Sequence, residues 1–288
     1  MTPSTNSPAS KPTLLNILKR HTLRFLTFGL LGALVALGVT YTIPKQWPAT
    51  MLLQIGQIGG PSNLLADPNN VVQRIKFPSF VTEVLQSQNL PSDESKSDRS
   101  ALIKKTLTAT LAKGGNLLEM KVSGYSPEEA QANLSAAFQI LQNEHAMLLT
   151  PSVTKLKNNL ADVTASLKKI EDERSAILEP IKKANSAGTI ERKFSESILL
   201  ASMLKSNDTE TRAFRDQINS LDEQLSPYRT FNTKAVTEIY VPKPAAYPKK
   251  IIGVLIGLIL GCLIAAIWSL IRDKDLRELL RGNSAIDI

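Results

Sequence analysis

Few residues in this 288-residue chain are of the kinds that do chemistry, and their placement keeps them apart. There are two histidines. His21 stands in a basic segment just before an uncharged run, and His145 lies within a long helical pattern. If that run crosses a membrane, the two histidines are on opposite sides and cannot share a metal ion or a proton. His145 then reads as a helix-surface or seam residue. The single cysteine, Cys262, sits in a second uncharged run, so no intrachain disulfide and no cysteine metal site can form. No P-loop, G-x-G-x-x-G, G-x-S-x-G or H-E-x-x-H pattern occurs. Gly59-Gly60 and Gly114-Gly115 lack the following lysine or helix start that a phosphate cradle needs, and read as turns. Glu171-Asp172-Glu173 are interleaved with Lys168, Lys169 and Arg174, the pattern of a salt-bridged solvated helix face. The expectation is a chain with no catalytic, metal-ligating or cofactor-binding residue, and no cofactor.

The elements that carry these residues explain more than the residues do. The chain is 43% hydrophobic and 21% charged, an ordinary average that hides two very apolar runs. Phe25–Ile43 is 19 residues and Ile251–Ile271 is 21 residues, both without a charge. About 20 apolar residues at 1.5 Å rise cross a hydrocarbon core of about 30 Å. The first run is longer than a signal-peptide core, and Val39-Thr40-Tyr41-Thr42 offers no A-x-A-like cleavage site, so it reads as an uncleaved anchor. The predicted division is a tail at 1–24, a span at 25–43, a domain at 44–250, a span at 251–271 and a tail at 272–288. Lys11, Lys19, Arg20 and Arg24 precede the first span with no acid among them, and four basic residues follow the second. By the positive-inside rule both tails are cytoplasmic and the domain is extracytoplasmic, hence periplasmic in a bacterium with two membranes. Lys234, Lys243, Lys249 and Lys250, on the domain side, run against that contrast. The net charge of +8 leaves 26 bases and 22 acids in the central region, a mixed surface rather than a nucleic-acid stripe.

Within the second span Gly253, Gly257, Gly261 and Ala265 recur at every fourth position and share one helix face, where missing side chains admit another backbone. Gly29, Gly32, Ala33 and Ala36 give the first span the same tendency. Packing within one chain and packing between chains are both open at this point.

The domain begins with a predicted strand at Trp47–Gly56, a helix from Pro68 through Ile75 and another from Pro78 to about Gln88. Residues 91–100 read as a polar linker or surface loop. Thr106–Ala112 and Asn116–Ser123 form a hairpin around Gly114-Gly115, with Leu107, Ala109 and Leu111 on one face of the first strand and Leu118, Met120 and Val122 on one face of the second. Ser126-Pro127-Glu128-Glu129 opens a helix with its capping serine, first-turn proline and glutamate three residues on. Thr150-Pro151 is expected to kink or interrupt it. Val153, Leu156, Leu160, Val163, Leu167, Ile170, Ile177 and Ile181 then make a narrow stripe of alternating three and four steps, with Arg174 in one seam position. After Ala187-Gly188, residues Ile190–Leu225 return with Phe194, Ile198, Phe214, Ile218, Leu221 and Leu225. Val236–Val241 is a predicted strand, and Pro242, Pro244 and Pro248 make a stiff connector that sets the approach to the second span. The fold expected is an α+β membrane protein. Two transmembrane helices flank an α/β base, and a long antiparallel, coiled-coil-like helical extension spans about 127–225.

In this order the parts resemble the polysaccharide co-polymerases, the Wzz-type chain length determinants. The matching pieces are Trp47-Pro48-Ala49-Thr50-Met51, Ser126-Pro127-Glu128-Glu129-Ala130, the approach Val241-Pro242-Lys243-Pro244-Ala245-Ala246-Tyr247-Pro248 and the span start Gly253-Val254-Leu255-Ile256-Gly257. The resemblance implies a bacterial inner-membrane protein whose periplasmic domains assemble as a homo-oligomeric ring. It implies a non-enzymatic role beside a Wzy-type polymerase, setting the length of the growing glycan of O antigen or a related surface polysaccharide. Its partners would be other copies, the polymerase, the glycan and membrane lipid, with no nucleic acid. The seventeen residues from Arg272 carry no Walker motif, which places the resemblance with the kinase-free members. The alternatives are a polysaccharide export component and an activating adaptor of a separate cytoplasmic tyrosine kinase, docked through Arg272, Lys274 and Arg277.

Overall fold

The computed structural model describes residues 14–113, 115–183 and 190–272. The chain divides into two units, Met1–Trp47 with Lys243–Ile288, and Pro48–Pro242. The distal parts of both predicted tails, Gly114 and the Ala187-Gly188 punctuation lie outside the described residues.

The first unit is built on two helices, α1 (Leu14–Thr42) and α7 (Lys250–Arg272). Each holds a window long and apolar enough to cross a membrane, Phe25–Thr42 and Lys250–Ser269. Neither is a core helix. Leu26, Leu30, Leu34 and Val35 on α1, and Leu255, Ile259, Leu263 and Ile267 on α7, are exposed. A helix apolar on its outer face as well as its inner one suits hydrocarbon rather than water.

The second unit contains β1 (Trp47–Gln54, shared with the first at its start), α2 (Pro68–Lys76), α3 (Pro78–Ser87), α4 (Asp98–Thr106), β2 (Thr108–Leu111), β3 (Leu117–Gly124), α5 (Pro127–Lys183), α6 (Ile190–Leu225) and β4 (Lys234–Ala235). The strands form one sheet in the order β2-β3-β1-β4, with the β2–β3 and β1–β4 pairs antiparallel. Alternation sends Ala49, Met51 and Leu53 of β1 and Leu118, Met120 and Val122 of β3 into the core. Phe80, Val84 and Leu85 of α3, Ile75 of α2 and Ile103 of α4 join them, with Ala130, Leu134, Ala137 and Leu141 from the start of α5. Each such aliphatic removed from water contributes about 1.5–3 kcal/mol. Arg74 ties three helices together. It donates to Glu144 and to Glu83 (3.0 Å) and lies 5.3 Å over the Phe80 ring.

Several sequence expectations change. Residues 91–97 are a surface loop with one short 3-10 turn at Glu94–Lys96, and 98–100 already belong to α4. Ser97 caps α4, and Ser100 is buried with its hydroxyl donating to the Pro91 carbonyl at 2.7 Å. Serine and aspartate serve both loops and helix caps, so composition could not separate the two. The first hairpin strand starts later than expected. Leu107 is the C-cap of α4, and Leu111 at the end of the edge strand is exposed. The turn of this hairpin places Gly115 at φ +80, a conformation glycine adopts without strain.

Pro151 does not break its helix, because α5 runs through it for 57 residues, about 86 Å. The proline forfeits one hydrogen bond on an exposed face, beside the highly exposed Met147, where the unpaired carbonyl is open to solvent. Finally, Val236–Val241 is a bulged edge rather than a regular strand. The Val236 and Thr237 amides both donate to the Leu52 carbonyl (2.8 and 3.3 Å), while the Thr237 hydroxyl accepts from Leu52 N. Beyond it Thr50 and Tyr240 form an isolated antiparallel bridge, exchanging both amide hydrogen bonds.

The hairpin of α5 and α6 is held by a half-buried seam. Val163 and Leu221 are buried in it, while Val153, Leu156, Leu160, Leu167, Ile170 and Ile177 are half-exposed; the Ile181 side chain lies outside the described residues. Phe194 and Ile198 do not belong to the seam, being 66% and 55% exposed. The shielded positions of α6 are Leu200, Leu204, Asn207, Thr211, Phe214, Ile218, Leu221 and Leu225, an unbroken series of four and three steps. Asn207 and Thr211 make its middle polar, and this displaced the apolar reading by one position. Asn207 donates to the Ile170 carbonyl at 2.8 Å, Arg174 pairs with Asp208, and Arg215 reaches Glu171 at 3.0 Å.

Candidate functional site

The row Gly253, Gly257, Gly261 and Ala265 faces the chain's own first span. A Cβ on Gly257 would lie 2.5 Å from the Gly32 carbonyl oxygen, and one on Gly32 would lie 3.0 Å from the Gly261 Cα. One on Gly261 would lie 3.0 Å from the Gly29 Cα and collide with the Phe28 carbonyl, and one on Gly253 would lie 2.6 Å from the Thr40 hydroxyl. Ala265 is buried at the same face, followed one turn on by Ser269. Of the first span's small residues, Gly29, Gly32 and Ala36 take part in these approaches. Thr40 belongs to it unforeseen. Its hydroxyl donates back to the Ala36 carbonyl at 2.6 Å, which makes threonine compatible with an apolar seam. Backbones approach here as closely as side chains do elsewhere, the packing that helices use where surrounding lipid removes the hydrophobic drive.

The connector is tethered to the chain that leaves α1. Gln46 N donates to the Tyr247 carbonyl and Ala246 N to the Gln46 carbonyl, both at 3.0 Å, and the Trp47 indole donates to the Lys243 carbonyl at 3.3 Å. The amide used is that of Ala246, so Pro244 and Pro248 leave no donor unsatisfied here. Pro242 closes the other unit. Around the tether lies a recess of about 390 Å³ lined by Tyr41, Lys45, Trp47, Lys243, Tyr247 and Lys250, among others. The Lys250 ammonium sits 4.4 Å over the Tyr41 ring and 3.4 Å from its hydroxyl.

In the second unit the return from α6 is fastened at Thr233. Its hydroxyl accepts from Gly56 N (2.9 Å) and bonds His145 Nδ1, and its carbonyl accepts from Gln142 (3.0 Å). Gln142 in turn accepts from Asn232 at 2.9 Å. His145 is therefore a buried residue, 4% exposed, and not on a helix surface. Burial lowers its pKa, against the neighbouring Glu144 carboxylate, which pulls it up. The His145 Nδ1 and the Thr233 hydroxyl share this hydrogen bond, the donor being set by the imidazole tautomer. No group of three or more histidine, cysteine, aspartate or glutamate residues is placed to hold a metal ion among the described residues.

No protein-family model and no curated protein matches the sequence. Among solved structures, the chain is similar to a full-length bacterial polysaccharide co-polymerase at 15% identity, over 95% of this chain and 99% of that one, with a TM-score of 0.37. It is also similar to the wild-type Shigella flexneri lipopolysaccharide O-antigen chain-length regulator WzzBSF at 14% identity, over 69% and 100% of the two chains, with a TM-score of 0.20. A fragment of WzzB, a polysaccharide co-polymerase from Salmonella Typhimurium, gives 15% identity over 71% and 100%, with a TM-score of 0.23.

Proposed function

We propose that this chain is a Wzz-type polysaccharide co-polymerase, a non-enzymatic regulator of polysaccharide chain length in the bacterial inner membrane. Both tails are cytoplasmic in this reading, and the domain at 44–250 is periplasmic. Copies assemble side by side as a ring and act with a Wzy-type polymerase on the growing glycan. The observation that carries the reading is the combination of one chain's two apolar helices with a small sheet base that extends a 57-residue and a 36-residue helix. Such an architecture presents length and surface. Gly253, Gly257, Gly261 and Ala265 serve to fix the two spans of each chain as one body.

The test is the gel profile of surface polysaccharide from a deletion strain. Polymer still made but without a preferred length supports the reading. Complete loss of polymer favours an export component. Loss that accompanies a missing tyrosine-kinase activity favours the adaptor.

A further inference from the structure

The four lysines beside the span ends call for an explanation that topology does not supply. Basic residues on the extracytoplasmic flank run against the charge bias that orients spans. Lys45, Lys243 and Lys250 nevertheless line one recess, and Lys249 lines the adjoining one. The described part of this unit, residues 14–47 and 243–272, holds no aspartate or glutamate. Among the described residues no carboxylate is in salt-bridge range of these lysines. Lys250 is set against Tyr41 instead. Snorkelling accounts for lysines at headgroup level, and an interfacial belt accounts for Tyr41, Trp47 and Tyr247. Neither accounts for their convergence on one concavity with no counter-charge.

That concavity continues into the apolar surface of the span pair. The recess shares Thr40, Ile43, Tyr247 and Pro248 with the smaller one lined by Lys249. That one shares Thr40, Ile43, Gly253 and Ile256 with a groove of about 510 Å³ between α1 and α7. The groove runs past Phe28, Leu31, Val35, Leu260 and Ile264, and exists because the glycines bring the helices together. A cationic, aromatic-rimmed head site joined to an apolar channel matches one chemistry, an amphiphile with an anionic head and a hydrocarbon tail. The N-terminal end of α7, which begins at Lys250, adds the partial positive charge of a helix start.

We propose that this unit binds an anionic glycerophospholipid of the surrounding leaflet, its phosphate in the recess of Lys45, Lys243 and Lys250 and an acyl chain in the groove between the spans. The lipid would bridge the span pair and its connector and stiffen the tether between them. The proposal needs only that α1 and α7 lie in a bilayer. Its test reads lipid and not glycan, so it can fail while the chain-length reading stands, and the reverse.

The experiment is native mass spectrometry of the full-length chain released from nanodiscs of phosphatidylglycerol and phosphatidylcholine mixed in equal amounts. Phosphatidylglycerol adducts should be retained preferentially. The triple variant Lys45→Gln, Lys243→Gln, Lys250→Gln should lower that preference by about fivefold per lysine removed, with phosphatidylcholine adducts unchanged. Lys104→Gln with Lys205→Gln, far along the chain, should leave it intact. Inorganic phosphate added in excess should not displace the lipid, because the tail contributes; displacement would mean a free-phosphate site and overturn the proposal. Equal retention of the two lipids by the wild-type chain would also overturn it. So would an undiminished preference in a triple variant whose far-ultraviolet circular dichroism matches wild type. Should the triple variant fail to fold, Lys45→Gln alone should show the single-lysine effect, and its absence would count against the site.

Discussion

The molecule contains two antiparallel helix pairs made from one chain, and they are held by opposite means. In the pair of α1 and α7 the seam is made of glycines, alanines, a self-bonded threonine and backbone atoms, with Lys250 over Tyr41 at its end. In the pair of α5 and α6 the seam is narrow and half-wet, and cross-helix polar bonds from Asn207, Arg174 and Arg215 supplement it. The contrast follows from the solvent. In hydrocarbon there is no gain from hiding one apolar side chain against another, so close backbone approach has to supply the attraction. In water a thin apolar stripe suffices for association, but a thin stripe slides, and a buried asparagine fixes its register.

The largest effect should come from filling the glycine seam. Gly257→Leu with Gly261→Leu places side chains where the Gly32 and Phe28 backbones already stand, an overlap costing about 3 kcal/mol. Cross-linking of a Thr40→Cys, Gly253→Cys pair in a Cys262→Ser background should then fall by about tenfold or more. Unchanged cross-linking would show that the spans do not depend on this seam. The hairpin should respond in the other direction. Asn207→Leu removes a carboxamide oxygen that is buried without a partner, and should raise stability to urea by about 1 kcal/mol. Its cross-links between α5 and α6 should become mixed in register, whereas a single register would deny Asn207 its specifying role.

A smaller effect concerns pH, at the point where the hairpin returns to its base. Burial depresses the folded-state pKa of His145, so the unfolded chain binds the proton more readily. Stability from this group is complete above the unfolded value of about 6.5 and is lost as pH falls below it and through the folded pKa. Thermal unfolding at pH 7.5 and 5.5 should show the loss in wild type and a reduced loss in His145→Gln. The smallest effect is that of Arg174→Ala. Its pair with Asp208 is more than a third exposed on both sides, so removal should cost less than about 1 kcal/mol, less again in high salt. Double-mutant analysis with Asp208→Ala checks it.

Legibility followed the same division. The spans, the strand faces and the cap at Ser126 could be read because one periodicity or one capping signal governed each. The small-residue row was visible too, but its partner was not, since four-residue spacing says that a backbone comes close and not whose it is. The α6 seam was misplaced because Asn207 and Thr211 interrupt its apolar pattern while Phe194 and Ile198, one position off, look like its continuation. The burial of His145 is not legible locally, because its surroundings are assembled from Gly56 and Thr233, residues remote in sequence. The lysine recess escaped for a like reason. Lys45 and Lys243 are separated by nearly the whole domain, and the bonds of Gln46 to Tyr247 and Ala246 and of Trp47 to Lys243 bring them together.

The most direct measurement is the surface-polysaccharide ladder from a strain lacking this chain, complemented either by the intact chain or by the Gly257→Leu, Gly261→Leu form at equal protein level. The account predicts no preferred length without the chain, a restored one with the intact chain, and a shifted or broadened one with the variant. A ladder that is the same in all three strains would contradict it.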